Sequence, residues 1–152
     1  MPRIRRCLHF VPGANEKMLD KSIATAADAL VLDLEDAVTP ENKDSARGII
    51  AGWLRDVDFG GKERVVRINP VDSPWFRADV DATMENPPDA YLVPKLNGGD
   101  EVRLVDRIVS ELERQHGHPE GSVKLLVLGT ETPKGLLAIR DIPCVPRVDA
   151  LT

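Results

Sequence analysis

The chain has 152 residues, of which 42% are hydrophobic and 30% are charged, and this composition is typical of one folded domain and excludes a disordered or fibrous protein. A formal net charge of -5 argues against a protein that binds nucleic acid or an anionic membrane with its whole surface. No apolar run reaches the length of a membrane span or of a signal peptide, and the length predicts a single domain over residues 1–152. With only two cysteines, we expect a reducing, cytoplasmic environment.

Strand and helix patterns alternate along the chain. Apolar runs that stop at glycine, proline or polar clusters predict strands at 7–12, 29–35, 63–69, 90–95, 123–131 and 148–152. Capping residues, three of them followed by proline, predict that helices begin after Asn15, Thr39, Ser73 and Thr132. The clearest helix repeats apolar residues at steps of three and four from Val102 to Leu112.

Strict alternation of strands and helices indicates an α/β fold with a parallel sheet covered by helices. Two architectures remain open on this pattern. A doubly wound sheet of five strands suits the length. A TIM (β/α)₈ barrel needs about 250 residues, so this chain would hold its first five βα units and the start of strand six. Such a part of a barrel has two open sheet edges, which can pair with other strands. We therefore expect either a homo-oligomer or a longer protein.

Polar residues collect where the predicted strands end: Asp33, Glu35 and Asp36 after the second, Arg67 and Asn69 after the third, Lys95 after the fourth and Glu131 after the fifth. In both architectures the carboxyl ends of the strands form the functional edge. A period of two places all of these side chains except that of Asp36 on one side, provided that Val31, Val65, Val93 and Val127 face that side too. We therefore expect a shared site, because charges are rarely buried without a partner or a metal.

The first strand carries weaker signals. Lys17 follows it, where the N-terminus of a helix can hold an anion, and Arg6 belongs to a basic start that could meet a phosphate. We expect His9 to be a core histidine. Cys7 and Cys144 lie far apart and follow no metal-ligand spacing, so we expect two reduced, buried thiols.

Five ordered motifs resemble those of the citrate lyase β-subunit and malyl-CoA lyase family, within the HpcH/HpaI aldolase superfamily. They are RRCLHFVPGANEKM, ADALVLDLEDAVTPENKDSAR, VVRIN, YLVPK and GTETPKG. The resemblance implies a TIM barrel, magnesium (Mg²⁺), and cleavage or formation of a carbon–carbon bond beside a CoA thioester. The implied partner is a small acyl-CoA or an oxo- or hydroxy-acid, with no nucleic acid and no membrane.

The resemblance also implies roles for individual residues. Glu131 matches the acidic magnesium ligand, and Arg67 matches the arginine that holds the substrate carbonyl or the thioester enolate. The acidic cluster that supports the metal and its waters corresponds to Asp33, Glu35 and Asp36. Substrate or CoA contacts are implied for Lys17, Arg6 and Lys95. The family's alanine after Glu131-Thr132 is Pro133 here, and its second magnesium carboxylate would lie beyond Thr152.

Three alternatives to a magnesium-dependent acyl-CoA lyase stay open. One is a pyruvate-type aldolase without CoA, which would lack a basic channel near Arg6 and Lys17. Another is a non-enzymatic, doubly wound phospho-acceptor domain, although that class places its acidic pair after the first strand, which here ends in Val11-Pro12. The last is a catalytically inactive fragment.

Overall fold

The computed structural model describes residues 3–13 and 15–152, which form one parallel sheet of six strands. In chain order the strands are β1 (Leu8–Pro12), β2 (Ala29–Asp33), β3 (Glu63–Arg67), β4 (Ala90–Val93), β5 (Lys124–Val127) and β6 (Val148–Leu151). Each strand pairs with the next one in the chain, from β1 to β6. A doubly wound sheet reverses this order at a switch point, and this sheet does not. The chain therefore has the TIM-barrel type of fold, with five βα units and a sixth strand.

Five α-helices connect the strands: α1 (Glu16–Ile23), α2 (Lys43–Asp56), α3 (Phe76–Thr83), α4 (Gly99–His116) and α5 (Pro133–Leu137). Local sequence explains their ends. Asn15 accepts a hydrogen bond from the Met18 N–H at the start of α1, and Gly117 ends α4 in the left-handed conformation that glycine favours. Helix α2 begins later than predicted, because residues Pro40–Asn42 form a 3₁₀ turn first.

The predicted strands are right in number and order and too long at their carboxyl ends. β2, β3 and β4 each end two residues earlier than predicted, and β5 ends four residues earlier. Asp33 and Arg67 remain as the last residues of β2 and β3, whereas Glu35, Asn69, Lys95 and Glu131 lie in the loops that follow the strands. The carboxyl edge is therefore made of strand ends and loops together.

The sheet has two apolar faces that pack differently. The face covered by the helices includes Leu30, Leu32, Val66, Tyr91, Val93 and Val127. The opposite face, the interior of a barrel, carries a smaller cluster of Ala29, Val31, Val65, Ala90, Leu92 and Leu126. Val31 and Val65 thus face the interior as expected, whereas Val93 and Val127 face the helices. The facing of Val93 and Val127, from which the sides of Lys95 and Glu131 were predicted, is therefore wrong.

Three smaller expectations fail at the surface. Cys7 and Cys144 are both exposed free thiols, and His9 is exposed as well. Cys7 precedes β1 and Cys144 lies in a 3₁₀ turn (Ile142–Cys144), and so neither reaches the core. None of the described helices is both long and apolar enough to cross a membrane.

Candidate active site

Arg67 stands at the centre of the carboxyl edge. Its Nε and Nη2 donate to the two carboxylate oxygens of Asp33 at 2.8 and 2.5 Å, and its Nη1 lies 3.0 Å from Glu35 Oε2. The guanidinium carbon lies 5.0 Å from the centre of the Phe10 ring. Burial alone would lower the pKa of Arg67, but the hydrogen bond and charge of Asp33 raise it above its usual value. The side chain is a permanently charged fork whose direction is set by a buried carboxylate.

Lys95 occupies the space between two acids of the same turn. Its Nζ lies 2.5 Å from Glu35 Oε1 and 2.9 Å from Asp36 Oδ1. Hydrogen bonds to these carboxylates, Glu35 first, raise the pKa of Lys95 to about 12, and the Lys95 hydrogen bond lowers the pKa of Asp36. Lys95 has a φ of 52°, in the left-handed region that is uncommon for a residue other than glycine. Its side chain reaches these acids by this turn of the backbone and not by strand parity.

Glu131 follows β5 in an exposed loop. Its Oε2 accepts a hydrogen bond from the Lys95 backbone N–H at 2.8 Å. The next residue, Thr132, donates from Oγ1 to the Leu96 carbonyl at 2.6 Å and accepts the Gly135 N–H at 2.9 Å. The loops after β4 and β5 are therefore joined by two hydrogen bonds, and Glu131 is fixed relative to Lys95.

Gly135 permits this close approach of the two loops. A Cβ at this position would stand 2.8 Å from the Gly129 carbonyl oxygen and still nearer to that of Leu96. Real Cβ atoms do not approach backbone oxygens this closely, so the run Glu131–Gly135 needs glycine at its end. Pro133, which replaces the alanine of the resembled motif, is the first residue of α5 and leaves the Thr132 cap intact.

The site carries more acids than cations. Four carboxylates, those of Asp33, Glu35, Asp36 and Glu131, share the two cations Arg67 and Lys95. Both buried oxygens of Glu35 lie at ion-pair distance from cations but lack a well-aligned hydrogen bond. An excess of exposed and incompletely satisfied oxygen ligands suits a hard divalent cation such as Mg²⁺.

Within residues 3–13 and 15–152, no group of three or more His, Cys, Asp or Glu side chains is arranged to hold a metal ion. Glu131 is the acid whose carboxylate is exposed and not paired with a cationic side chain of the described chain. Because Mg²⁺ takes only one or two protein carboxylates and keeps several waters, Glu131 fits the role of one such ligand.

The structure brings together six of the eight residues predicted for the site: Asp33, Glu35, Asp36, Arg67, Lys95 and Glu131. Lys17 lies apart on the first turn of α1, exposed at the same edge of the sheet. Arg6 is placed elsewhere. It precedes β1 and pairs with Asp28 at 2.6 Å, at the amino edge of the sheet, so it is not beside the other seven.

Four residues that support the site from behind escaped the sequence analysis or were placed wrongly: Lys43, Arg47, Asn69 and Asp79. Asn69 was expected in the central space, but its side chain contacts Lys43 and Asp79 between the sheet and the helices. A signal for the cations was present. Lys43 and Arg47 lie on the buried stripe of α2 with Ala46, Ile50 and Leu54. Charged residues at core positions of an amphipathic helix indicate a buried polar network.

A pocket of about 460 Å³ opens between the loops after β2 and β3. Its walls include Glu35, Asp36, Lys43, Asn69, Trp75 and Lys95. The pocket joins the charged edge to a partly apolar surface, which is the usual character of a small-molecule site.

The sequence is similar to those of several known proteins. Residues 6–152 match the family described as HpcH/HpaI aldolase/citrate lyase. A (3S)-malyl-CoA thioesterase of Cereibacter sphaeroides is 34% identical over 146 residues, which cover 96% of this chain and 47% of that protein. The citrate lyase subunit beta of Haemophilus influenzae is 35% identical over 140 residues, covering 92% and 48%.

The fold has a solved counterpart as well. A crystal structure of a citrate lyase from Burkholderia xenovorans superposes with a TM-score of 0.85 at 23% identity and covers 99% of this chain and 48% of that one. The chain spans about half the length of the curated relatives it matches. With the family match extending over nearly all of its residues, the chain belongs to the HpcH/HpaI aldolase/citrate lyase family.

Proposed function

We propose that this chain supplies part of the active site of a magnesium-dependent carbon–carbon lyase that cleaves the CoA thioester of a hydroxy acid, of the malyl-CoA or citramalyl-CoA type. The observation that carries the proposal is the Arg67 fork, held by Asp33 at the same edge of the sheet as Glu131, whose carboxylate has no cationic side-chain partner among the described residues. Relatives named citrate lyase subunit beta and (3S)-malyl-CoA thioesterase support the substrate class.

Each residue has a role that follows from its charge. Glu131 would hold the magnesium ion, which supplies Lewis-acid polarisation of a substrate oxygen when bound. Cleavage of the carbon–carbon bond leaves its electron pair as an enolate on the thioester. Arg67 offers fixed N–H donors to that developing charge, and Nη1, which is held by Glu35 through a single ion pair, is the donor that can exchange this partner for the substrate.

Lys95 would orient an anionic substrate group and would not act as a base. With a pKa of about 12 its amine stays protonated at neutral pH. Its Nζ is shared between Glu35 and Asp36, and exchange of one of these for a substrate carboxylate conserves its charge balance. Lys17, an exposed cation at this edge, would contact the CoA phosphates, whereas Arg6 is paired with Asp28.

A thioesterase is the second candidate, because a 34% identical relative carries that name. The two reactions leave different products. A thioesterase releases a free thiol, whereas the lyase leaves the thioester intact and releases an aldehyde or keto acid. The position of Arg6 removes part of the basic channel and so keeps the CoA-free aldolase open, while the strand order excludes the doubly wound phospho-acceptor domain.

Cytoplasmic location and homo-oligomerisation remain part of the same proposal. Within the described chain β1 and β6 each pair with a single neighbouring strand, and open edges of this kind favour association.

The experiment follows the metal and the products together. The protein is titrated with Mg²⁺ by NMR, and malyl-CoA is then supplied while free thiol and thioester are measured separately. Glu131→Gln should weaken the Mg²⁺ affinity by at least about tenfold, since even partners of metal ligands contribute 10- to 100-fold. Glu120→Gln, which removes a charge at an exposed ion pair with Arg114, is the matched control and should leave the affinity unchanged. Equal affinities in the wild type and Glu131→Gln would remove Glu131 from the metal site.

A further inference from the structure

Lys43 is a charged residue that the proposed reaction does not use, although it lies next to the site. Its side chain is buried, and its Nζ donates three hydrogen bonds of 2.7 Å, to the carbonyls of Leu34 and Glu35 and to Asn69 Oδ1. An ammonium group has three donors. All three are used within the protein, so Lys43 has none left for a ligand even though it lines the pocket.

The two carbonyls that Lys43 binds belong to the turn that carries Glu35 and Asp36. Leu34 anchors this turn to the neighbouring strand through its N–H, which donates to the Arg67 carbonyl at 2.9 Å. The Glu35 N–H donates to Asp33 Oδ1 at 2.8 Å. The turn thus directs its carbonyls to Lys43 and the Glu35 carboxylate to Arg67 and Lys95.

Asn69 joins the same arrangement to the strand that carries Arg67. Its Nδ2 donates to the Leu34 carbonyl at 2.9 Å and to Asp79 Oδ2 at 2.6 Å, and its backbone N–H donates to Asp79 at 2.9 Å. Asp79 also accepts from Arg47 Nε at 3.1 Å. Burial raises the pKa of Asp79, but three hydrogen bonds from charged or amide donors hold its carboxylate in place.

We propose that Lys43 is a positioning residue: through the Leu34 and Glu35 carbonyls and Asn69, it fixes the Glu35 carboxylate against Arg67 and thereby sets the geometry of the site. The physical reason is that buried carbonyls are costly to leave unpaired, so without the ammonium the turn must rotate toward water. That rotation would carry the Glu35 side chain away from the guanidinium. The importance of this for catalysis rests on the proposed lyase function, while the geometry itself does not.

The chain contains a matched control for Lys43. Lys62 is a partly buried lysine whose Nζ also donates to two backbone carbonyls, those of Thr25 at 2.6 Å and Ala27 at 3.2 Å. These carbonyls precede β2, whereas those bound by Lys43 follow it. A methionine at either position has a side chain of similar length but carries no charge and no hydrogen-bond donor.

The first measurement is NMR of the Arg67 guanidinium. In the wild type, Nη1 is held by Glu35 and Nε and Nη2 by Asp33. In Lys43→Met, rotation of the Nη1 group should be at least about tenfold faster, since it loses a charged partner, while the Nε–H signal held by Asp33 persists. Lys62→Met should leave both unchanged. Unchanged Nη1 rotation in a folded Lys43→Met protein would overturn the proposal.

Asn69→Ala tests the same arrangement without any change in charge, and it is decisive should Lys43→Met fail to fold. It removes one acceptor of Lys43 and one donor to the Leu34 carbonyl, so Nη1 of Arg67 should again rotate faster. If the rotation stays as slow as in the wild type, the arrangement does not position Glu35 and the proposal fails.

Kinetics then separate this proposal from the proposed function. Lys43→Met should lower kcat by about 10- to 100-fold with little change in KM, as is usual for the loss of a partner behind an active site, whereas Lys62→Met should change neither. A wild-type protein without lyase activity, together with fast Nη1 rotation in Lys43→Met, would refute the reaction and keep the positioning role. Equal kcat values in Lys43→Met and the wild type would refute the positioning role in catalysis.

Discussion

Each of the two edges of the sheet contains an arginine that binds two acids, but the surroundings of the two arginines differ. At the carboxyl edge Arg67 grips Asp33 with two hydrogen bonds and touches a second acid, Glu35. At the amino edge Arg5 grips Glu63 with two hydrogen bonds of 2.6 and 2.7 Å and reaches a second acid, Asp149, at 2.6 Å. A buried arginine–carboxylate pair is therefore not a sign of an active site by itself.

The difference lies in what surrounds each pair. At the amino edge the acids Asp28, Glu63, Asp89 and Asp149 are matched by the arginines Arg3, Arg5, Arg6 and Arg64. At the carboxyl edge four acids share two cations, and the buried oxygens of Glu35 are poorly satisfied. A balanced set of charges stabilises the packing of the strands. An excess of carboxylates, with oxygens that lack hydrogen bonds, can instead bind a ligand.

The largest expected effect comes from changing the two arginines in the same way. Arg67→Lys keeps the charge but loses the fork, so in the active enzyme we expect kcat to fall by roughly 10²-fold, the scale of losing one oxyanion donor. KM for the CoA thioester should change less, because the residue proposed to contact its phosphates is Lys17 and not Arg67. Arg5→Lys should leave kcat unchanged. Steady-state kinetics of both variants measure these values. A normal kcat in Arg67→Lys would mean that Arg67, like Arg5, has only a structural role.

The next effect concerns how tightly the loops of each edge are packed. Gly135→Ala places a Cβ against two backbone carbonyls at the carboxyl edge and should lower the free energy of unfolding by about 3 kcal/mol. Gly61, which precedes β3 at the amino edge, has a φ of 81° and open space around it, so Gly61→Ala should cost only about 1 kcal/mol of backbone strain. Urea unfolding measures the loss in free energy of unfolding for each variant. Equal costs would show that the two loops after β4 and β5 move apart easily.

The smallest expected effect is a loss of stability at alkaline pH that affects the carboxyl edge and not the amino edge. The pKa of Lys95 is raised from 10.5 to about 12, so its ion pairs stabilise the folded state fully below pH 10.5 and are lost as the pH rises through 12. The side chain is partly exposed, so this contribution is under about 1 kcal/mol. The amino edge uses arginines, which do not deprotonate in this range.

Urea unfolding of the wild type and Lys95→Met between pH 9 and 12 measures that contribution. The stability difference between the two proteins should shrink as the pH rises from 10.5 to 12. Lys134→Met is the control, because Lys134 is exposed at the same edge and has no ion pair within the described residues. A difference that stays constant with pH would mean that the acids do not raise the pKa of Lys95.

The sequence pattern was sufficient for the alternation of strands and helices and for the edge at which polar residues collect, whereas the order of the strands in the sheet was implied by the family resemblance. The alternation of sides also holds within β2 and β3, where Val31 and Val65 face the interior with Asp33 and Arg67. It fails for Lys95 and Glu131, which lie two and four residues beyond the ends of their strands. Past a strand end the period of two no longer applies, and a left-handed residue or a loop redirects the side chain.

The support behind the site could not be predicted for a different reason. The contacts of Lys43 and Asn69 join residues 26 positions apart, and those of Arg47 and Asp79 join residues 32 apart. Nothing in local periodicity pairs them, although Lys43 and Arg47 on a buried helix stripe signal that partners exist. Arg6 was misplaced because a residue before a parallel strand lies at the edge opposite to one that follows it.

At Lys95 the fold accepts a strained backbone conformation and gains an amine in the site. Its backbone has the conformation in which glycine costs nothing and any other residue costs about 1 kcal/mol. The fold nevertheless keeps a long amine there, and the bond from its N–H to Glu131 helps to maintain the turn. A selection for thermal stability alone would favour glycine at this position. Such a variant would relieve the backbone strain and lose the amine that contacts Glu35 and Asp36.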